Sequence, residues 1–137
     1  MTIRECYEKM GSDYYAVLER IPSEAIITKF AKKFIDDASY SNLENAMTQN
    51  NAEEAFRAVH TLKGICLNLG FDTLYKASFE LTEKLRDGHI DGSKEAYEAV
   101  KAAYGLTVNA IKELDVQEYE ECSDRLKENL NSSLKVR

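Results

Sequence analysis

NAEEAFRAVHTLKGICLNLG, residues 51–70, is the stretch on which the fold turns. At 3.6 residues per helical turn, Ala55, Val59, Leu62, Cys66 and Leu69 fall on one face. A stripe of that spacing is what a helix buries in the core of a bundle. Asn51 followed by Glu54 resembles a capping box, with Asn in place of the usual Ser or Thr. Gly70 is the residue type that closes a helix in the left-handed conformation. The spacing therefore predicts one amphipathic helix from Asn51 to Leu69.

The rest of the chain divides around this helix in the same way. Residues 3–10 predict a short helix stopped by Gly11, and Ser12 can cap a second one through Arg20, closed by Pro22. From Ser23, residues Ile26, Ile27, Phe30, Phe34 and Ala38 recur at helical spacing, while Leu43, Ala46 and Met47 continue out of phase. That pattern fits one long helix bent near Asp36–Asn42, or two helices. Asp72 can cap a helix carrying Leu74, Ser78, Leu81 and Leu85 and ending at Gly88. After a loop at 88–92, Ser93 can cap a long helix to Leu114. Its inner face would hold Ala96, Val100, Ala103, Leu106 or Thr107, Ala110 and Leu114. Asp115 and Glu118 repeat the capping pattern and predict a tail helix to about Leu130, with Glu118, Glu120, Glu121 and Asp124 on a solvated face. Gly105, inside a predicted helix, suggests tight helix packing.

Composition agrees with an all-α chain. One Pro and six Gly among 137 residues are few breakers for a strand-and-turn architecture. The length suits a single bundle over residues 1–114, with 115–137 as a helical tail of the same unit. A net charge of −6 speaks against a nucleic-acid partner, which would call for concentrated positive charge. No apolar run reaches the ~18 residues of a membrane span, and residues 1–10 lack the apolar segment of a signal peptide. Three separated cysteines, Cys6, Cys66 and Cys122, fit a reducing compartment, the cytoplasm. With two histidines they make no metal-ligand spacing, so no metal site is expected. Cys66, on the core stripe, should be inert, and His89 an ordinary loop residue.

On the helix from 51 to 69, His60 points away from the core stripe. Glu53, Phe56, Arg57, Lys63, Gly64 and Leu67 surround it on the helix surface. Phe56 and Leu67 are large apolar side chains where polar ones are expected, marking either a docking patch or a neighbouring helix. Gly64 costs about 1 kcal/mol relative to Ala in a helix interior, so clearance for an approaching group is a reason for it. Lys63 can set an ammonium beside whatever the imidazole carries. An imidazole ring nitrogen with a free lone pair can act as a nucleophile. Arg57 reads as a general surface charge. No phosphate-binding glycine loop, carboxylate pair or Ser/His/Asp set stands out.

His60-Thr61-Leu62-Lys63-Gly64, with Gly70 ten residues after the histidine, resembles the histidine-containing phosphotransfer (HPt) domain of two-component phosphorelays. The similarity runs from about Met10 to Leu114 and includes Phe34-Ile35-Asp36-Asp37 upstream. It implies an antiparallel up-down four-helix bundle with one or two short amino-terminal covering helices. It implies further that His60 accepts a phosphoryl group, on Nε2, from a receiver aspartyl phosphate and passes it to a second receiver aspartate. Lys63 would stabilise the phosphate; Phe56, Arg57, Gly64, Leu67 and Thr82 would meet the partner. Thr82 matches a position that is often Gln or Glu in the family, and Ile65-Cys66 replaces a frequent Ser-Ala pair.

The partners so implied are receiver domains of hybrid histidine kinases and response regulators, met by a monomer that is a phosphocarrier and not an enzyme. No cofactor is expected on this chain, the Mg²⁺ belonging to the receiver. The alternative is a non-phosphorylated helical adaptor that docks receiver or kinase domains. A substrate domain of a chemotaxis-type kinase is a third reading, which the missing dimerisation and ATP-binding regions disfavour.

Overall fold

Helices make up the regular structure of residues 1–114, the part of the chain that this computed structural model describes, and no strand occurs among them. The order is α1 (Ile3–Lys9), α2 (Tyr14–Arg20), α3 (Glu24–Phe34), α4 (Ser39–Thr48), α5 (Ala52–Leu69) and α6 (Asp72–Leu85). A further helix, α7, covers 94–114. The expected tail helix from Asp115 to Leu130 lies outside the described residues.

Short connections turn the chain back on itself at both ends of α5, so α4 and α6 flank it as antiparallel neighbours. Two consecutive asparagines make the first turn. Asn50 takes the left-handed conformation (φ 55°) and the Asn51 amide donates to the Ala46 carbonyl, which closes α4. The Asn51 side chain then accepts from the Glu54 amide and opens α5. Only that half of the expected capping box forms, because the Glu54 carboxylate pairs with Arg57.

Of the predicted α5 core stripe, Ala55, Val59, Leu62 and Cys66 are fully buried, whereas Leu69 at its end is half-buried. Leu74, Ser78, Leu81 and Leu85 of α6 are fully buried too. The segment 23–48 forms two helices. Ile35, Asp36 and Asp37 donate to carbonyls three residues back, and Asp37 Oδ1 accepts from the Ser39 amide. This tightened turn resets the phase so that Leu43 and Ala46 join Ile27, Ala31 and Phe34 inside. Ile26 and Phe30, from the same predicted stripe, remain exposed. In α7, Val100, Ala103, Thr107, Ala110 and Leu114 face inward while Leu106 is exposed. Tyr104 fastens α7 to the bundle, stacking on Tyr40 at 3.9 Å between ring centroids and meeting Phe34 edge-on. No described atom lies within 4 Å of a Cβ built on Gly105, so the tight packing expected there is absent.

The amino-terminal helices are tied to the ends of α5 and α6. Tyr7 donates its phenol to the Leu69 carbonyl (2.7 Å), and Arg20 Nη1 donates to the Leu67 carbonyl (2.9 Å). Burial pushes the Tyr7 phenol above its ordinary value, which keeps that hydroxyl a donor. At the start of α6, the Asp72 amide donates to Ser12 Oγ and the Asp13 amide donates to Asp72 Oδ2. Two expected caps are thereby corrected. Asp13, not Ser12, caps α2, and Phe71 rather than Asp72 holds the cap position of α6, without a side-chain bond. Ser93 stands directly ahead of α7, but its hydroxyl donates to the Ile90 carbonyl.

Gly70 joins these pieces. Its φ of 71° is left-handed, and a Cβ there would stand 2.1 Å from Val17 Cγ2 of α2. Gly70→Ala meets both obstacles, a left-handed cost of roughly 1–2 kcal/mol and overpacking of roughly 1–3 kcal/mol. The variant should lose about 2–4 kcal/mol of stability in urea unfolding. A Val17→Ala background should recover part of the loss by opening the space. An unchanged unfolding midpoint would disprove the close approach.

Candidate functional site

With its inner stripe committed to the core, α5 must turn its opposite face outward, and His60 stands mid-helix on that face, exposed. Its ring lies tilted against that of Phe56 one turn earlier, with centroids 5.9 Å apart. The imidazole forms no hydrogen bond among the described residues. One turn later, nothing lies within 4 Å of a Cβ built on Gly64, so the helix surface beside the ring is open backbone. Leu67, a further turn along, is 51% exposed.

The outer face of α6 supplies the other wall. Lys63 reaches across so that its Nζ sits 5.5 Å from the centroid of the Phe79 ring. Arg86 reaches the opposite way, its guanidinium carbon 5.7 Å from the Phe56 ring. These two contacts between cation and aromatic face cross from helix to helix on either side of His60 along α5. Glu83 bonds Arg86 at 2.8 and 3.3 Å. That hydrogen bond holds the Glu83 carboxyl below its ordinary value, and the positive charges of Arg86 and Lys63 act in the same direction. Lys63 itself makes no ion pair or hydrogen bond among the described residues.

Most residues singled out from the sequence converge here: Phe56, His60, Lys63, Gly64 and Leu67 share the face. Phe56 is half-buried and packs against the core, so it serves both the wall and the interior. Arg57 is exposed, but Glu53 (2.7 Å) and Glu54 (3.2 Å) clasp it. Thr82 is a correction. It is fully buried, and its hydroxyl donates to the Ser78 carbonyl, so no visiting domain can touch it. Phe79, Glu83 and Arg86 also stand on this face, and sequence reasoning missed them. The signal was present in Phe79, a large apolar residue out of phase with the inner stripe of α6.

On the other side of α5, Ile65 and Leu69 form an apolar groove with Ile21, Phe30 and Phe34. Gly64 lies between that groove and His60 on the helix circumference. Burial pushes the Cys66 thiol up, as befits a core residue, and His89 is exposed in its loop. Among the described residues no three His, Cys, Asp or Glu side chains gather as a metal site. None of the described helices is long and apolar enough to cross a membrane.

A family model described as the Hpt domain matches residues 34–130. No curated protein and no solved structure matched the chain. The family match takes in α4, α5, α6 and the described part of α7, and so includes α5 and α6, the two helices that build the His60 face. This helical chain belongs to the Hpt-domain family, carriers rather than catalysts in the histidine phosphotransfer of two-component phosphorelays.

Proposed function

We propose that His60 is the phosphoacceptor and that the chain carries a phosphoryl group from the aspartyl phosphate of one receiver domain to an aspartate of another. The observation that carries this reading is the exposed His60 ring beside the open backbone of Gly64. In the first transfer the lone pair of Nε2 attacks phosphorus. The N–P bond forms as the P–O bond to the donor aspartate breaks, and the carboxylate leaves with that electron pair. The second transfer reverses these bond changes on the acceptor aspartate. Lys63 offers positive charge to the phosphoryl oxygens, which a carrier without its own metal needs. In this reading the Mg²⁺ is the receiver's, and the chain supplies no turnover of its own.

Docking follows from the same face. Leu67 and the exposed part of Phe56 give apolar contact, and Gly64 lets the receiver's reacting edge come close to the helix axis. Arg57, already neutralised by two carboxylates, serves at the rim. The cytoplasm is the compartment this reading supposes, in keeping with the free thiols of Cys6 and Cys66.

Incubation with a phosphorylated receiver should label the protein in an acid-labile, base-stable form, and His60→Gln should abolish the label. A variant that still accepts phosphate would refute the assignment; a receiver that binds wild-type protein and never transfers would point to an adaptor. Gly64→Gln should fold normally, since its Cβ meets nothing, yet weaken receiver binding by about tenfold or more, or ~1.4 kcal/mol. Titration with a labelled receiver measures this, and wild-type affinity would discredit the clearance argument.

A further inference from the structure

Lysine is a flexible point charge, and beside His60 its usefulness depends on where it rests and on what neutralises it. The nearby carboxylate of Glu83 is engaged by Arg86, at 2.8 Å. Arg86 is further held over the Phe56 ring. Lys63 instead lies over the Phe79 ring, 5.5 Å from its centroid. The two kinds of partner differ in consequence. A carboxylate would cancel the ammonium charge, whereas an aromatic face attracts it through the ring quadrupole and leaves the net charge in place. Phe79 is 41% exposed, and its ring meets two neighbours, Tyr75 one turn earlier at 6.3 Å between centroids and the Lys63 ammonium across the helix pair.

We propose that Phe79 is a positioning residue, whose ring holds the ammonium of Lys63, one helical turn from His60, out of a direct ion pair until a phosphoryl group arrives. This rests on the reading of His60 as phosphoacceptor. Holding the cation in advance removes side-chain freedom that would otherwise be lost during transfer.

The test compares Phe79→Leu, Phe79→Tyr, Lys63→Ala and the double variant Phe79→Leu/Lys63→Ala. Phosphohistidine formation is followed against the concentration of phosphorylated receiver. Phe79→Leu should slow transfer at saturating receiver about two- to fivefold, the range expected of an exposed cation–aromatic contact, with half-saturation unchanged. Phe79→Tyr should restore the wild-type rate. In the Lys63→Ala background, Phe79→Leu should cause no further slowing. A change confined to half-saturation, equal slowing with and without Lys63, or an unaltered rate each overturns the proposal.

Nuclear magnetic resonance judges the contact apart from the chemistry. The Lys63 ε-methylene protons should be shifted upfield by the ring in the wild type and the Tyr variant, and not in the Leu variant. No upfield shift in the wild type overturns the contact itself. Label retained by His60→Gln would overturn the phosphoacceptor assignment and the role of Phe79 together. Normal labelling at His60 with an unchanged rate in Phe79→Leu removes Phe79 alone.

Discussion

The last turn of α5 leaves backbone carbonyls that its own helix cannot satisfy, and the rest of the molecule is arranged around how they are met. The Gly70 and Phe71 amides donate to the Cys66 carbonyl, Arg20 takes that of Leu67, and Tyr7 takes that of Leu69. Gly70 permits this in two ways, through its left-handed backbone and through the missing side chain that lets Val17 come close. The amino-terminal helices are thus structural partners of α5 rather than an appendage. Their loop also engages the start of α6 through Ser12 and Asp13.

Once that end is anchored, the rotation of α5 about its axis is set. The buried stripe from Ala55 to Cys66 enters the core between α4 and α6, and His60 must face out. A helix interior holds its side chains more rigidly than a loop does, and the imidazole gains orientation from that at no cost in exposure. The surface around it is shaped by two neighbouring helices, with charge and aromatic rings on the α6 side and an apolar groove on the α3 side.

What could be read from the residues alone was the part governed by short-range rules. The 4-3 spacing of α5, the Asn51 cap and the Gly70 stop needed nothing beyond their neighbours. The break between α3 and α4 was harder, because the phase slip between Phe34 and Leu43 fits a bend as well as a turn; the hydrogen bonds at Ile35–Asp37 decide it. The caps at Ser12 and Asp72 failed because each group bonds across the fold, about sixty residues away, where local pattern has no reach. The family pattern sets Thr82 on the docking face, although it lies four residues after Ser78 and so shares the buried stripe. The periodicity of α6 itself held the right answer. Gly105 has no packing explanation among the described residues.

The two sides of α6 have separate duties. Leu74, Ser78, Leu81, Thr82 and Leu85 are sealed inside, while Phe79, Glu83 and Arg86 look outward one turn apart. Substitutions on an exposed helical row usually change stability by no more than ~0.5 kcal/mol. If the proposed docking face is the one partners read, their preference can drift over generations, or be rewired by design, along that outer row while the interior stays untouched. A duplicated copy of such a chain could acquire a new correspondent without first having to learn to fold again.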